Sequence, residues 1–181
     1  MNKKKSDFAN SLHDVMQTKA FSKISIADVC KGLNCSRQSF YYYFKSLKEC
    51  LAYYIRDLAK AKIKEDHMIT DTFAFLDSCK DLIEFCETDK RTKNLFWIVL
   101  TAYLKKLLDM VLTKKLVDYL SLYSEQKEIL LTFYVAGIIQ EAKLYYSHNN
   151  KSTKEKYIEY TKTLLGSYDD VRERVKRFVC I

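Results

Sequence analysis

The stretch that decides the fold is ISIADVCKGLNCSRQSFYYYFKSLKECL, residues 24–51. Its first part repeats apolar side chains at i, i+3, i+4 and i+7, the stripe of a short amphipathic helix: Ile26, Val29, Cys30 and Leu33. Ser25 and Asp28 have the spacing of a capping box, which starts such a helix. Asn34 tolerates the left-handed conformation of a sharp turn, and Ser36 is placed to cap a second helix. Two short helices joined by such a turn are typical of a helix-turn-helix.

The second helix presents different chemistry on its two sides. At about 100° per residue, Phe40 and Phe44 lie together and are expected to face the core. Tyr42 points away from them with Gln38 beside it, and polar groups flank this outer face: Ser39, Tyr41 and Lys45. Such groups contact the base edges and phosphates of DNA, and Arg37 stands in the first turn, where recognition helices contact bases. Core packing of the aromatic cluster is the alternative; it is not expected for Tyr42 and stays open for Tyr41.

The segment from Ile26 to Phe44 resembles the N-terminal signature of the TetR family of transcriptional regulators, and the similarity continues to Leu51. The resemblance implies base contacts from three residues: Arg37, Gln38 and Tyr42. It implies phosphate contacts from a larger set: Ser25, Ser36, Ser39, Tyr41, Tyr43 and Lys45. The family often has glycine at the position of Asn34. It usually has lysine at the position of Leu47, so Lys48 is expected to supply that phosphate contact.

The composition excludes most other folds. The 181 residues include three glycines and no proline, whereas average usage predicts roughly thirteen glycines and nine prolines. This scarcity argues against sandwiches, barrels and glycine-rich nucleotide folds, and predicts an all-α chain. The formal net charge is +8, and residues 1–50 hold nine Lys and Arg against four Asp and Glu. The positive charge therefore accompanies the helix-turn-helix and favours a polyanionic partner.

Helical patterning continues along the chain. We predict a helix over 6–19, another from Ser46 to about residue 65, and further helices beyond residue 70: 71–87, 92–100, 102–121, 125–147, 153–165 and 169–179. Two more capping boxes support these boundaries: Ser46 with Glu49, and Ser152 with Glu155. We predict a helix-turn-helix domain over residues 1–50 and a helical effector-binding and dimerisation domain over 51–181.

The resemblance also assigns roles to the C-terminal domain. The helices over 125–147 and 153–165 would form a four-helix interface with a second copy, for which the candidate residues are Phe133, Gly137, Leu144 and Tyr157; an ordinary monomer core is the alternative. Gly137 lies in the middle of its helix, where glycine costs about 1 kcal/mol relative to alanine, and close approach of another helix is one reason to accept that cost. An effector pocket would draw on aromatic residues for which core packing is the favoured explanation when each is taken alone: Phe73, Phe96, Trp97, Tyr103 and Tyr134.

Catalytic, metal-binding and cofactor-binding sites are not expected. The sequence contains no nucleophile elbow, phosphate loop or HExxH motif, which argues against an enzyme. Its six cysteines form no CxxC pair, and four of them are expected in the core: Cys30, Cys50, Cys79 and Cys86. A redox-sensing thiol stays open. The N-terminal residues lack the apolar stretch of a secretory signal, and three charged residues interrupt the most apolar run: Lys105, Lys106 and Asp109. We therefore expect a cytoplasmic protein without a membrane span.

Taken with these patterns, the resemblance implies a ligand-responsive repressor that binds a palindromic operator in double-stranded DNA as a homodimer. Two recognition helices read half-sites about 34–36 Å apart, which favours the dimer. The alternative is a transcriptional coactivator or adaptor that works with a protein co-regulator and has no small-molecule pocket of its own. A well-formed internal cavity of about 300 Å³ or more would count against this alternative.

Overall fold

The computed structural model describes residues 2–115, 124–147 and 154–165. Every regular element in these ranges is helical: α1 Asn2–Met16, a 3-10 helix Phe21–Lys23, α2 Ile26–Gly32, α3 Arg37–Tyr43, α4 Leu47–Lys62, α5 Met68–Ser78, α6 Lys80–Thr88, α7 Leu95–Lys115, α8 Ser124–Ser147 and α9 Lys154–Leu165. The all-α prediction is confirmed. None of the helices in the described ranges is both long and apolar enough to cross a membrane.

The predicted helix over 71–87 is wrong, because the chain forms two helices there. The break falls at Cys79, whose φ of −122° and ψ of 18° are not helical. α5 buries Phe73 and Leu76 in one compact unit, whereas α6 buries Ile83 in another. One straight helix would not serve both cores, and the apolar pattern alone does not show that two cores exist.

The two helices predicted over 92–100 and 102–121 are instead one helix, α7, within the described residues. Thr101 is β-branched but compatible with a helix interior, and neither glycine nor proline interrupts this stretch. The predicted helix over 169–179, the residues of α7's predicted range beyond 115, and Ser152 of the third capping box lie outside the described residues.

The chain divides into two compact units. The first comprises residues 1–61 and 79–100, and the second comprises residues 62–78 and 101–181. The first unit thus continues past residue 50 into α4 and also takes in α6. An independent domain ending at residue 50 stays a prediction.

The core of the first unit holds α3 on α1. Phe8 of α1 is buried and meets Phe40 edge-on, with ring centroids 5.5 Å apart. It also contacts Phe44 at 6.5 Å in the same geometry. Phe40 and Phe44 are 0% and 2% exposed, which confirms their predicted place in the core.

α2 comes close to α1 at Gly32. A Cβ at this position would lie 2.7 Å from the Ser11 Oγ of α1, closer than real Cβ atoms come. The Ser11 hydroxyl donates to the Val29 carbonyl at 2.8 Å, and Ser11 itself is buried. The side chain of Ser11 occupies the space that glycine leaves open, which explains a glycine as the last residue of α2.

In the second unit, the side chain of Asp77 near the end of α5 bonds to two other helices. The Tyr145 hydroxyl of α8 donates to Asp77 Oδ1 at 2.8 Å, and the Lys154 ammonium of α9 donates to Asp77 Oδ2 at 2.8 Å. Tyr145 is 5% exposed, and burial raises the pKa of its phenol to about 12, with Asp77 adding to the effect. One carboxylate therefore ties three helices together.

Candidate DNA-binding surface

The turn before α3 is built by local hydrogen bonds that the sequence predicts. Ser25 and Asp28 form the capping box at the start of α2. Asn34 adopts a φ of 49°, which confirms its left-handed role in the turn. Ser36 caps α3 by accepting from the backbone N–H of Ser39 at 3.2 Å. These bonds fix where α3 begins and how its faces are oriented.

The outer face of α3 is open to solvent. Tyr42 is 77% exposed and Tyr41 is 58% exposed, so the open alternative of core packing for Tyr41 is excluded. Arg37, Gln38 and Lys45 are exposed as well. The three candidate base-contacting residues and Tyr41 are thus accessible on α3, and Lys45 is accessible two residues beyond its end. We call the surface formed by these five residues the α3 face.

The serine hydroxyls near this face already have partners within the protein. Ser25 Oγ donates to Asp28 Oδ2 at 2.7 Å while accepting from the Asp28 N–H. A hydroxyl has a single proton to donate, so Ser25 can hold a phosphate only by releasing Asp28. Ser36 and Ser39 lie 3.3 Å apart at their Oγ atoms, and either one can donate to the other. Their phosphate contacts stay predictions.

The remaining candidate residues flank α3. Tyr43 is partly buried, with its ring 5.8 Å from Phe8 and 4.9 Å from Tyr42, so it supports the outer face as well as offering a hydroxyl. Leu47 is partly buried at the start of α4, and its neighbour Lys48 is exposed. An exposed Lys48 is able to supply the phosphate contact that the resemblance assigns to the neighbouring position.

Lys5 is a cation near this surface that the sequence analysis did not single out. Its ammonium lies 5.6 Å from the centroid of Phe44, which ends α3, and 5.9 Å from the centroid of Tyr53. Arg56 of α4 lies 5.5 Å from the same Tyr53 ring. Cation–π contacts of this kind hold the cations in place without neutralising them. The run of lysines at residues 3–5 is the sequence feature that could have indicated a cation here.

Two acidic residues of this region serve as capping groups. Asp28 accepts from the Lys19 ammonium at 2.7 Å, and this bond, followed by those from Ser25, holds the pKa of Asp28 well below its usual range. Glu49 accepts from the Lys45 backbone N–H at 2.7 Å, and its own N–H donates to Ser46 Oγ at 3.2 Å. The predicted capping box at Ser46 therefore forms in a shifted version, in which the Glu49 carboxylate accepts from the N–H of the residue before Ser46 rather than from Ser46 itself.

The aromatic residues predicted for an effector pocket pack against protein in both units. In the second unit, Phe73 is fully buried against Tyr145 at 5.5 Å and Tyr157 at 6.5 Å. Tyr103, in the same unit, donates its hydroxyl to the Ile63 carbonyl at 3.1 Å. Tyr134 is also buried there, and Phe96 and Trp97 form an edge-on pair in the first unit. The structure does not bring all five together in one unit, and their role as a pocket stays a prediction.

The candidate dimer residues differ in exposure. Phe133 is 65% exposed, whereas Gly137 and Leu144 are partly buried. Tyr157 turns inward, with its ring 5.4 Å from Tyr145. Sequence analysis missed two further exposed apolar residues, one on α8 and one on α9: Ile129 and Tyr160, 67% and 61% exposed.

Comparison with known proteins identifies the fold and leaves the family open. No protein-family model matches the chain, and no curated protein matches it. Among solved structures, the chain is similar to one described as "Dihydroxyacetone kinase operon activator DhaS", with a TM-score of 0.58 and 20% identity, over 90% of this chain and 93% of that one. The chain therefore shares an all-helical fold with a transcription regulator.

Proposed function

We propose that the chain is a DNA-binding transcriptional regulator of the TetR family, acting as a ligand-responsive repressor on a palindromic operator. The observation that carries the proposal is the α3 face. Gln38 and Tyr42 stand exposed on a short helix that buries Phe40, and the exposed Lys45 follows two residues after the helix ends. An amide and a phenol on a helix that follows a tight turn, with an ammonium just beyond it, match the groups that read base edges and hold phosphates. The fold shared with a regulator supports the same class of function.

The test measures affinity for the DNA upstream of the protein's own gene against scrambled DNA of equal length, over a series of salt concentrations. The wild-type protein should prefer the upstream DNA, with an affinity that falls linearly in a plot of log K against log salt. Gln38→Ala should reduce that preference by about 1–3 kcal/mol. Lys45→Ala should weaken both DNAs alike and lower the salt slope by about 1.

Lys60→Ala is the matched control, because it removes the same charge from an exposed site near the other end of α4. That position is about 20 Å along the helix from Leu47, at 1.5 Å per residue. The DNA affinity and the salt slope of Lys60→Ala should equal those of the wild type. Equal wild-type affinity for upstream and scrambled DNA at moderate salt would overturn the proposal.

A homodimer is part of the proposal, and an apolar stripe on the second unit supports it. Ile129 and Phe133 are four residues apart on α8, so their exposed side chains share one face of the helix. Tyr160 of α9 is another exposed aromatic in the same unit. Large apolar side chains left in water favour association, and a dimer supplies two recognition helices for two half-sites.

A coactivator that works with a protein co-regulator is the second candidate. Two observations favour it: the similar solved structure is named an activator, and Phe73 is packed against Tyr145 and Tyr157 with its surface fully buried. A genetic test separates the candidates, since deleting the gene should raise expression of a repressed neighbour and lower expression of an activated one.

A further inference from the structure

Two cysteines meet in the turn between α2 and α3. The Cys35 N–H donates to the Cys30 carbonyl at 3.1 Å, and the Asn34 N–H donates to the Lys31 carbonyl at 3.2 Å. With Asn34 at a φ of 49°, these bonds make a Schellman motif, in which the side chains of the first and sixth residues come into contact. A hydrophobic pair is common at those two positions, and here they are cysteines.

The Schellman contact places Cys35 beside Cys30, and Cys30 also contacts the start of α3. Burial, and to a smaller extent a hydrogen bond with Cys35, raises the pKa of the Cys30 thiol to about 11. Cys30 Sγ also donates to the Ser36 carbonyl at 3.5 Å, and Ser36 is the N-cap of α3. Cys30 is buried, whereas Cys35 is partly exposed. The Cys35 thiol is thus open to a reagent from solvent, and the Cys30 thiol beside it is buried.

We propose that Cys30 and Cys35 are a redox modification site, at which hydrogen peroxide forms a reversible disulfide that lowers the affinity of the α3 face for DNA. The Cys35 thiolate attacks a peroxide oxygen and breaks the O–O bond, which leaves a sulfenic acid and hydroxide. The hydroxide takes a proton and becomes water. Cys30 sulfur then attacks the sulfenic sulfur, the S–S bond forms, and the S–O bond breaks as a second water leaves with the Cys30 proton. Both sulfurs are oxidised and the peroxide is reduced.

The disulfide would act on DNA binding through the position of Ser36. An S–S bond of about 2.05 Å is much shorter than a contact between two thiols, so Cys35 would be drawn towards α2. Cys30 would also lose the proton that it donates to the Ser36 carbonyl. Ser36 and Arg37 follow Cys35 directly in the chain, so the first turn of α3 would move with it. Hydrogen bonds weaken steeply with such displacement.

The experiment uses the full chain with Cys180→Ser as background, because Cys180 lies outside the described residues. Reduced protein is treated with hydrogen peroxide, alkylated, and digested with trypsin. Cleavage after Lys31 separates the two cysteines, so the disulfide would link two peptides, residues 24–31 and 32–37. Their combined mass would be lower by two hydrogens than the sum of the separate peptides. Cys35→Ser and Cys30→Ala are the variants, and each should show no linked pair and no loss of DNA affinity after peroxide treatment.

We expect the linked pair in the oxidised protein and an affinity for upstream DNA lower by about tenfold, the loss of a single base contact, that a dithiol restores. Oxidation of Cys35 without linkage to Cys30 would overturn the disulfide. A linked pair with unchanged affinity would overturn its effect on DNA. The effect on DNA rests on the proposed function, whereas peptide mapping does not. If the reduced protein has no preference for upstream DNA, the proposed function fails and the mapping still decides the thiol pair.

Discussion

Replacing Gly32 by alanine tests how α1 packs on α2. The new Cβ would stand 2.7 Å from Ser11 Oγ, so the hydroxyl would have to move. It would then leave the Val29 carbonyl, to which it donates at 2.8 Å. Val29 lies in the last turn of α2, where carbonyls lack partners within the helix. The substitution therefore costs a buried hydrogen bond rather than a simple shift of a side chain.

The size and sign of the effect follow from these contacts. An unsatisfied buried acceptor costs about 1–3 kcal/mol, and alanine's helix propensity returns about 1 kcal/mol. We expect Gly32→Ala to lower the free energy of unfolding by about 1 kcal/mol. In a Ser11→Ala background the nearest remaining atom is Ser11 Cβ at 3.8 Å, an ordinary contact. There, Gly32→Ala should raise the free energy of unfolding by about 0.5–1 kcal/mol.

The assay is urea unfolding of the full chain followed by tryptophan fluorescence. Trp97 is the single tryptophan, it is buried, and it belongs to the same compact unit as Gly32 and Ser11. The four proteins of the cycle are the wild type, the two single variants and the double variant. If Gly32→Ala destabilises both backgrounds by the same amount, the steric explanation is refuted and another constraint requires glycine there.

Three further outcomes are expected. Asp77→Asn should destabilise the second unit by about 1–3 kcal/mol, since it weakens the bond from Tyr145 and an ion pair, and far-UV circular dichroism during urea unfolding measures this. The Asp89 carboxylate accepts from the Arg91 and Ser22 N–H groups, in that order of effect, which lowers its pKa. The Asp89 carboxylate therefore stabilises the fold above about pH 4, and this stabilisation is lost as the pH falls. In Asp89→Asn the free energy of unfolding should fall less steeply with pH, which acid unfolding followed by Trp97 fluorescence measures. Phe133→Glu should shift sedimentation equilibrium towards the 21.4 kDa monomer.

Each of these outcomes has a control. Tyr145→Phe removes only the hydroxyl and should lower the free energy of unfolding by less than Asp77→Asn does. A larger decrease would contradict the role given to the carboxylate. An acid-unfolding curve unchanged by Asp89→Asn would show that Asp89 does not stabilise the first unit. Ile98→Glu changes a side chain of similar exposure, 60%, on the first unit and should leave the dimer intact.

The helix-turn-helix could be predicted because its determinants are local. Ser25, Asn34 and Ser36 each act on backbone groups within three residues, and the structure confirms all three. A rotation of about 100° per residue predicts that Phe40 and Phe44 lie on one side and face the core, and it therefore also predicts that the opposite side of α3 is exposed. Local geometry was sufficient to identify the α3 face.

The features that the sequence did not predict depend on contacts between distant residues. The helix break at Cys79 depends on which core each side joins, and a one-dimensional apolar pattern does not contain that information. Lys5 is 39 residues from Phe44 in the chain and lies over its ring only after α1 has packed. The Cys30–Cys35 pair was accessible to sequence reasoning, since a left-handed Asn34 between them predicts the Schellman contact.

The charge pattern of the first fifty residues has a structural explanation that bears on DNA binding. Asp28 and Glu49 are half of the acidic residues in this segment, and both accept hydrogen bonds at helix starts. Carboxylates there stabilise the fold through the partial positive charge of a helix N-terminus. α3 has no acidic residue in its first turn and relies on Ser36, a neutral cap. A carboxylate at that cap would stabilise α3 equally well but would repel phosphates beside Arg37. The proposed function requires such a neutral cap, because the N-terminal turn of α3 would approach the phosphates.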